Sequence, residues 1–166
     1  MHPSKSIIFF TVSSGTGYGI LLCLSYLAFV TDINFDNNVK LLLIITSFVF
    51  ISAGLLSSTL HLGHPERAWR SFSQWKSSWL SREGLAAVIT FLPLIIFYLL
   101  WYLDNFFYIY FLHLTSALCL ITIYCTGQMY ATLKTIPAWN NKLVTPIYAI
   151  NAICMGALIV LSLIHI

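Results

Sequence analysis

Five stretches of this chain are long and apolar enough to sit in oil: Ile7–Val30, Leu41–His61, Leu85–Leu103, Phe106–Cys125 and Leu143 to the last residue. Crossing a bilayer core of ~30 Å takes about 20 apolar residues wound as a helix. Inside that core each backbone N–H and C=O needs a partner within its own segment, which a helix supplies and a lone strand does not. The expectation is an all-α fold, a polytopic transmembrane helix bundle of five spans. Composition agrees, since 59% of the 166 residues are hydrophobic and only 8% are charged, against about a quarter charged in soluble domains. The first stretch does not read as a cleaved signal peptide. It is too long, Lys5 is a thin basic flank, and no clear small-x-small cleavage pattern follows.

The formal charge of +3 does not point to nucleic acid. The basic residues are scattered over span-flanking loops, and no RNA- or DNA-reading motif lies among them. Cys23, Cys119, Cys125 and Cys154 fall singly within spans, without CxxC or ferredoxin-type spacing, and read as small packing residues. No iron–sulfur cluster and no other metal site is expected in this chain. Alternating spans put the N-terminus, the second connection and the fourth connection on one side. That side carries Lys5, Arg67, Arg70, Lys76, Arg82, Lys134 and Lys142, whereas Lys40, Asp32, Asp36 and Asp104 fall on the other. The positive-inside rule makes the basic side cytoplasmic; a basic docking face for a partner protein is the competing explanation.

Much of the small polar inventory is concentrated just after the second span, in "SSTLHLGHPERAW" (57–69). The long connection that follows is amphipathic. At an α-helical 100° per residue, Trp69, Phe72, Trp75 and Trp79 share an arc, with Arg67, Arg70, Gln74 and Ser77 opposite. Such a segment suits a short helix in the headgroup layer, either a plain interfacial anchor or a lid over a lipid-accessible site.

His61 closes the second span and Glu83 opens the third, so one connection brings both near the same membrane surface. Singly, each has an ordinary explanation. With Ser81 as the cap of the third helix, Glu83 falls in its first turn and complements the helix dipole; His61 caps carbonyls at a helix end. As a pair they carry more, because ionisable groups at membrane depth are costly and usually functional. Their unperturbed pKa values, about 6.5 and about 4.3, suit removal of the two hydroxyl protons of a quinol. That substrate needs an apolar, lipid-open site with two acceptors, which spans two and three are expected to form beneath the Trp-rich connection.

Two patterns resemble other functions. "GTGYG" (15–19) looks like a potassium filter, but it lies within a continuous span with no pore helix before it. Gly15 and Gly19, spaced i, i+4, fit close helix packing instead. His61 and His113 lie on different spans and are candidate axial haem ligands, though their depths do not obviously match.

The stretch "SSTLHLGHPERAWRSFSQWKSSWLSREG", with the opening "HPSKSIIFFTVSSGTGYG" and the later "MYATLKTIPAWNN", resembles the membrane anchor subunit of dimethyl sulfoxide reductase. This is the DmsC family, related to the NrfD-type quinone-interacting anchors. The likeness covers most of Met1–Val160. It implies an eight-span, haem-free anchor in the bacterial inner membrane, oxidising menaquinol in anaerobic respiration. The electrons would pass to a four-cluster ferredoxin-like iron–sulfur subunit and on to a molybdopterin catalytic subunit. It also implies His61 and Glu83 as the quinol-binding proton acceptors. Gly63, Arg67, Ser71 and His64 would support them, and Trp69, Trp75 and Trp79 would anchor the connection. The chain is thus expected to be a subunit of an oxidoreductase complex that lacks the terminal catalytic centre.

Five spans stand where the family has eight. The tail "LSLIHI" (161–166) is also what a transposon-end sequencing adapter encodes. Residues 1–160 are therefore expected to be the N-terminal bundle of a longer anchor and residues 161–166 to be non-native, which removes His165 as a ligand. A natural five-span protein is the alternative. For function the alternatives are a structural anchor without a quinol site, a haem-bearing anchor, and, with little support, a transporter.

Overall fold

Helix α1 (Lys5–Val30) is the axis of the bundle. In the computed structural model, which describes residues 5–31, 35–59 and 65–165 and their side chains except at 65–68 and 71, Ser13 through Leu21 are buried without interruption. A helix buried all round for more than two turns needs neighbours on every side, and the run SSGTGYG permits it because its side chains are small. Its hydroxyls are absorbed locally: Ser14 donates to the Phe10 carbonyl at 2.7 Å and Thr16 to that of Val12 at 2.7 Å. Gly17 lies against the Ser47 carbonyl and Ile51 of α2 (Asn37–Thr59). Gly19 lies against Ala152 and Gly156 of α5 (Val144–Ile164). The filter-like pentapeptide is a packing surface.

Helices α2, α4 (Tyr108–Ala131) and α5 pack on α1, and α3 (Trp79–Tyr102) packs chiefly on α4. The helices alternate in direction. Ser57 near the end of α2 donates to the Ser6 carbonyl near the start of α1, at 2.9 Å. At the far end, Ser25 of α1 meets His113 of α4 at 2.7 Å, and the Lys40 ammonium of α2 sits over the Trp101 ring of α3. All five helices are long and apolar enough to cross a membrane. Large apolar side chains such as Leu56, Leu92 and Leu158 face outward, while Ser47, Thr90, Thr115 and Thr122 are buried. That inversion suits a lipid solvent, in which polar groups must find partners inside the protein.

The helices outrun the expected spans. α2 begins at Asn37 rather than Leu41, and α3 at Trp79 rather than Leu85. The cap of α3 is Ser78, not Ser81: Ser78 has extended backbone (φ −116°, ψ 127°) and its hydroxyl accepts from the Ser81 N–H at 3.5 Å. Glu83 therefore lies in the second turn of α3, deeper than a dipole-compensating first-turn carboxylate. α4 continues from Cys125 to Ala131. Along this polar end the threonine hydroxyls find partners within the helix itself, at carbonyls four residues earlier, Thr126 at Thr122 and the capping Thr132 at Gln128.

Candidate functional site: a buried carboxylate among hydroxyls

Glu83 is only 3% exposed. The pairing of α3 with α4 turns it inward, where Thr126 donates to its Oε1 at 2.6 Å. Its other oxygen, Oε2, is buried and has no hydrogen-bond partner among the described residues. Leaving a buried acceptor unsatisfied costs about 1–3 kcal/mol, more if the group is charged. The neighbouring Arg82 does not relieve it, because its guanidinium donates to the Trp75 and Lys76 carbonyls at 2.8 and 2.7 Å and covers the Trp79 ring.

Three tyrosines lie within electrostatic range of the carboxylate: Tyr18 of α1, Tyr130 of α4 and Tyr148 of α5. The Tyr148 hydroxyl donates to the Thr11 carbonyl at 3.2 Å. Thr11 Oγ1 and Tyr130 OH share a hydrogen bond of 2.8 Å. The Tyr18 hydroxyl and Thr145 Oγ1 are buried and unpartnered among the described residues. A cluster of buried polar groups thus lies toward one end of the bundle, with the Glu83 carboxylate in it.

Of the residues expected at this site, Glu83 is the one whose side chain is described and lies in this cluster. His61, Gly63 and His64 lie outside the described residues. Arg67 and Ser71 belong to a 3₁₀ helix, Pro65–Gln74, and their side chains lie outside the described set. The connection differs from the α-helix expected. In a 3₁₀ helix residues i and i+3 eclipse, which puts Trp69 and Phe72 on one face, and Phe72 packs over Gly84 near the start of α3. Of the two cations expected on the opposite face, Arg67 has its side chain outside the described set and Arg70 lies over Trp69 instead. Arg70, Lys76 and Arg82 lie over Trp69, Trp75 and Trp79, at 5.5, 5.7 and 4.4 Å from the ring centroids, since a cation is attracted to a ring face. Trp69 is 66% and Trp75 50% exposed, while Trp79 meets Tyr124 edge-on. Replacing Trp69 and Trp75 together by Ala should sharply reduce quenching of tryptophan fluorescence by lipids brominated near the headgroup. Undiminished quenching would show that these rings do not lie in lipid.

The opening expected between spans two and three is not where the carboxylate looks. Glu83 faces α4, through Thr126, because α3 packs on α4 and meets α2 at the Phe48–Phe91 ring contact. The cavities between α2 and α3 lie at the far end, one of about 240 Å³ beside Asn37, Trp101 and Asp104, another of about 70 Å³ beside Lys40. His113, the other histidine considered as a haem ligand, is also at the far end and engages Ser25.

Thr126, Tyr130 and Tyr148 are functional candidates that sequence reasoning misses, because the apolar run of the fourth span fades at Cys125 and Thr126 then reads as the start of a loop. A signal is nevertheless present: Thr122, Thr126 and Tyr130 recur at i, i+4 and i+8, a polar stripe on one face of the helix.

The family model for the DMSO reductase anchor subunit (DmsC) matches residues 1–166. The chain belongs to the DmsC family. Among curated proteins it is similar to a sulfite dehydrogenase subunit from Allochromatium vinosum, at 29% identity over 182 residues, covering 95% of this chain and 52% of that protein. The chain thus spans about half the length of that relative. No solved structure matches. As a DmsC-type anchor with five helices long and apolar enough to cross a membrane, it is a multi-pass membrane protein.

Proposed function

We propose that this DmsC-type anchor carries the quinol-oxidising site of a molybdoenzyme reductase in a bacterial inner membrane, with Glu83 and His61 as proton acceptors. The observation that carries the reading is the Glu83 carboxylate, buried in a membrane span with one oxygen held by Thr126 and the other without a partner among the described residues. Menaquinol, bound as substrate, supplies two protons and two electrons. The residues fit its head group: Oε2 accepts from one hydroxyl, Thr126 fixes the plane of the carboxylate, and burial limits access of competing water. His61, two residues beyond the described end of α2, is assigned the second hydroxyl. Gly63, His64, Arg67 and Ser71 support the pair from the connection. Electrons leave to a four-cluster iron–sulfur partner and then to a molybdopterin subunit, while this chain contributes no haem or cluster.

A second reading reverses the flow. The similar protein is named as a subunit of a dehydrogenase, and the same acid–base pair that removes protons from a quinol returns them to a quinone.

The test is oxidation of menadiol, a soluble quinol, by the assembled membrane complex. His61→Ala should lower the rate on the order of a hundredfold with the chain still in the membrane. An unchanged rate would remove His61 from the site. Menadione reduction driven by the partner's own substrate distinguishes the second direction.

A further inference from the structure

We propose that the space between α2 and α3, at the end of the bundle remote from Glu83, binds a phospholipid with a primary amine in its headgroup, of the phosphatidylethanolamine type. The inference is independent of the quinol reading. α2 packs on α1 and α3 on α4, and the two meet at the Phe48–Phe91 ring contact. Nearer the far surface a cavity of about 240 Å³ lies between them, lined by Asn37, Asn38, Leu41, Tyr98, Trp101, Tyr102 and Asp104. Asn37 is the first residue of α2 and Tyr102 the last of α3, so the cavity sits at the depth of the headgroups. It has room for about eight water-sized groups, comparable to a phosphoethanolamine.

The lining suits a zwitterion. Tyr98 and Tyr102 stack with centroids 6.5 Å apart and planes at 28°, and Asp104 is the charged residue of the wall. Aromatic faces beside a carboxylate attract an ammonium group. Trp101 also lines the adjoining cavity of about 70 Å³, where the Lys40 ammonium lies 5.5 Å from its ring centroid. Neither Asp104 nor Lys40 forms an ion pair among the described residues. A carboxylate and a cation set around one ring, each unpaired, match an ammonium and a phosphodiester joined by a short linker. The ammonium is assigned to Asp104 and the tyrosines. The phosphate is assigned to Lys40 and to the Asn37 amide, one turn before it on the same face of α2.

The apolar part of the ligand has a track as well. Leu41, Ile45 and Phe48 recur at i, i+4 and i+7 on α2, and Ile95 and Phe91 follow Tyr98 down α3 at matching intervals. Leu41, Ile45, Phe48 and Ile95 are all exposed. From Leu41 to Phe48 is about 10 Å of helix, which the first part of an acyl chain covers. A soluble amine or phosphate leaves that track bare, so the ligand is a lipid.

The test is native mass spectrometry of the assembled complex, stripped of lipid in detergent. It is then offered equal amounts of phosphatidylethanolamine and phosphatidylglycerol, which has the phosphate without the amine. The unmodified complex should retain the first over the second by about tenfold. Asp104→Asn should abolish that preference. Its fold is kept, because Asp and Asn both tolerate the positive φ of 51° found there. Lys40→Met should lower retention of both lipids, since both carry the phosphate. Asp36→Asn is the control, the same change of charge at an exposed residue outside the cavity lining, and it should behave as the unmodified complex. Equal retention of the two lipids by the unmodified complex overturns the site. So does a loss of preference as large in Asp36→Asn as in Asp104→Asn, or unchanged retention in Lys40→Met. Displacement of the bound lipid by an equal concentration of soluble phosphoethanolamine would overturn the lipid as ligand.

Discussion

Glu83→Gln should leave the anchor in the membrane with its partner attached and reduce menadiol oxidation on the order of a hundredfold or more. Glutamine has nearly the same shape, and its carbonyl oxygen can take the place of Oε1 and keep the 2.6 Å bond from Thr126. It cannot accept a proton at neutral pH. The amide adds two donors where Oε2 has no partner among the described residues, at a cost of about 1–3 kcal/mol, which a bundle of this size should tolerate. Loss of rate with retention of the complex therefore separates chemistry from folding. Glu83→Asp is a useful companion, because a carboxylate withdrawn by one methylene remains a base but loses its reach to Thr126; an intermediate rate is expected. The measurements are the initial rate and an immunoblot of the membrane fraction. A normal rate in Glu83→Gln would reduce this cluster to a packing feature.

Gly19→Ala should have the largest effect on the fold. A Cβ there would overlap the Ala152 carbonyl of α5, and one on Gly156 would overlap Gly19 in return. These are backbone atoms, so no side-chain rotation relieves the clash, and α1 and α5 must move apart. Overpacking typically costs 1–3 kcal/mol, so about 3 kcal/mol or more is expected for a contact between two backbones. Because α5 carries Tyr148, the same separation disturbs the polar cluster. Gly84→Ala provides the contrast. The nearest atom there is the edge of the Phe72 ring, at 3.2 Å, which can turn aside. Thermal aggregation in detergent should show a lowered midpoint for Gly19→Ala and little change for Gly84→Ala. Equal midpoints would mean that the α1–α5 crossing is looser than the structure has it.

The number, type and order of the spans are legible in the chain because lipid imposes a strict length and composition on a span; the 3₁₀ form of the connection is not. Gly15 and Gly19 can likewise be read as packing residues, since small side chains at i, i+4 have one strong use in a membrane. Glu83 is noticeable because a carboxylate near a span is costly. Its surroundings are not legible. Apolar periodicity fades where a polar helix end emerges from the hydrocarbon, so Thr126 reads as a loop residue. Ser78 and Ser81 both fit the local pattern of a cap, and only backbone geometry separates them.

A five-span helical bundle, a basic rim and a glutamate near that rim all follow from the order of residues alone, because each reflects local chemistry against a bilayer. Which helices the glutamate faces came from the packing of the bundle. α3 packs on α4 rather than broadly on α2, and Thr11, Thr126, Tyr130 and Tyr148 converge from three helices. Helix pairing in lipid depends on close packing and hydrogen bonds between segments far apart in the chain, and no local pattern of residues specifies it.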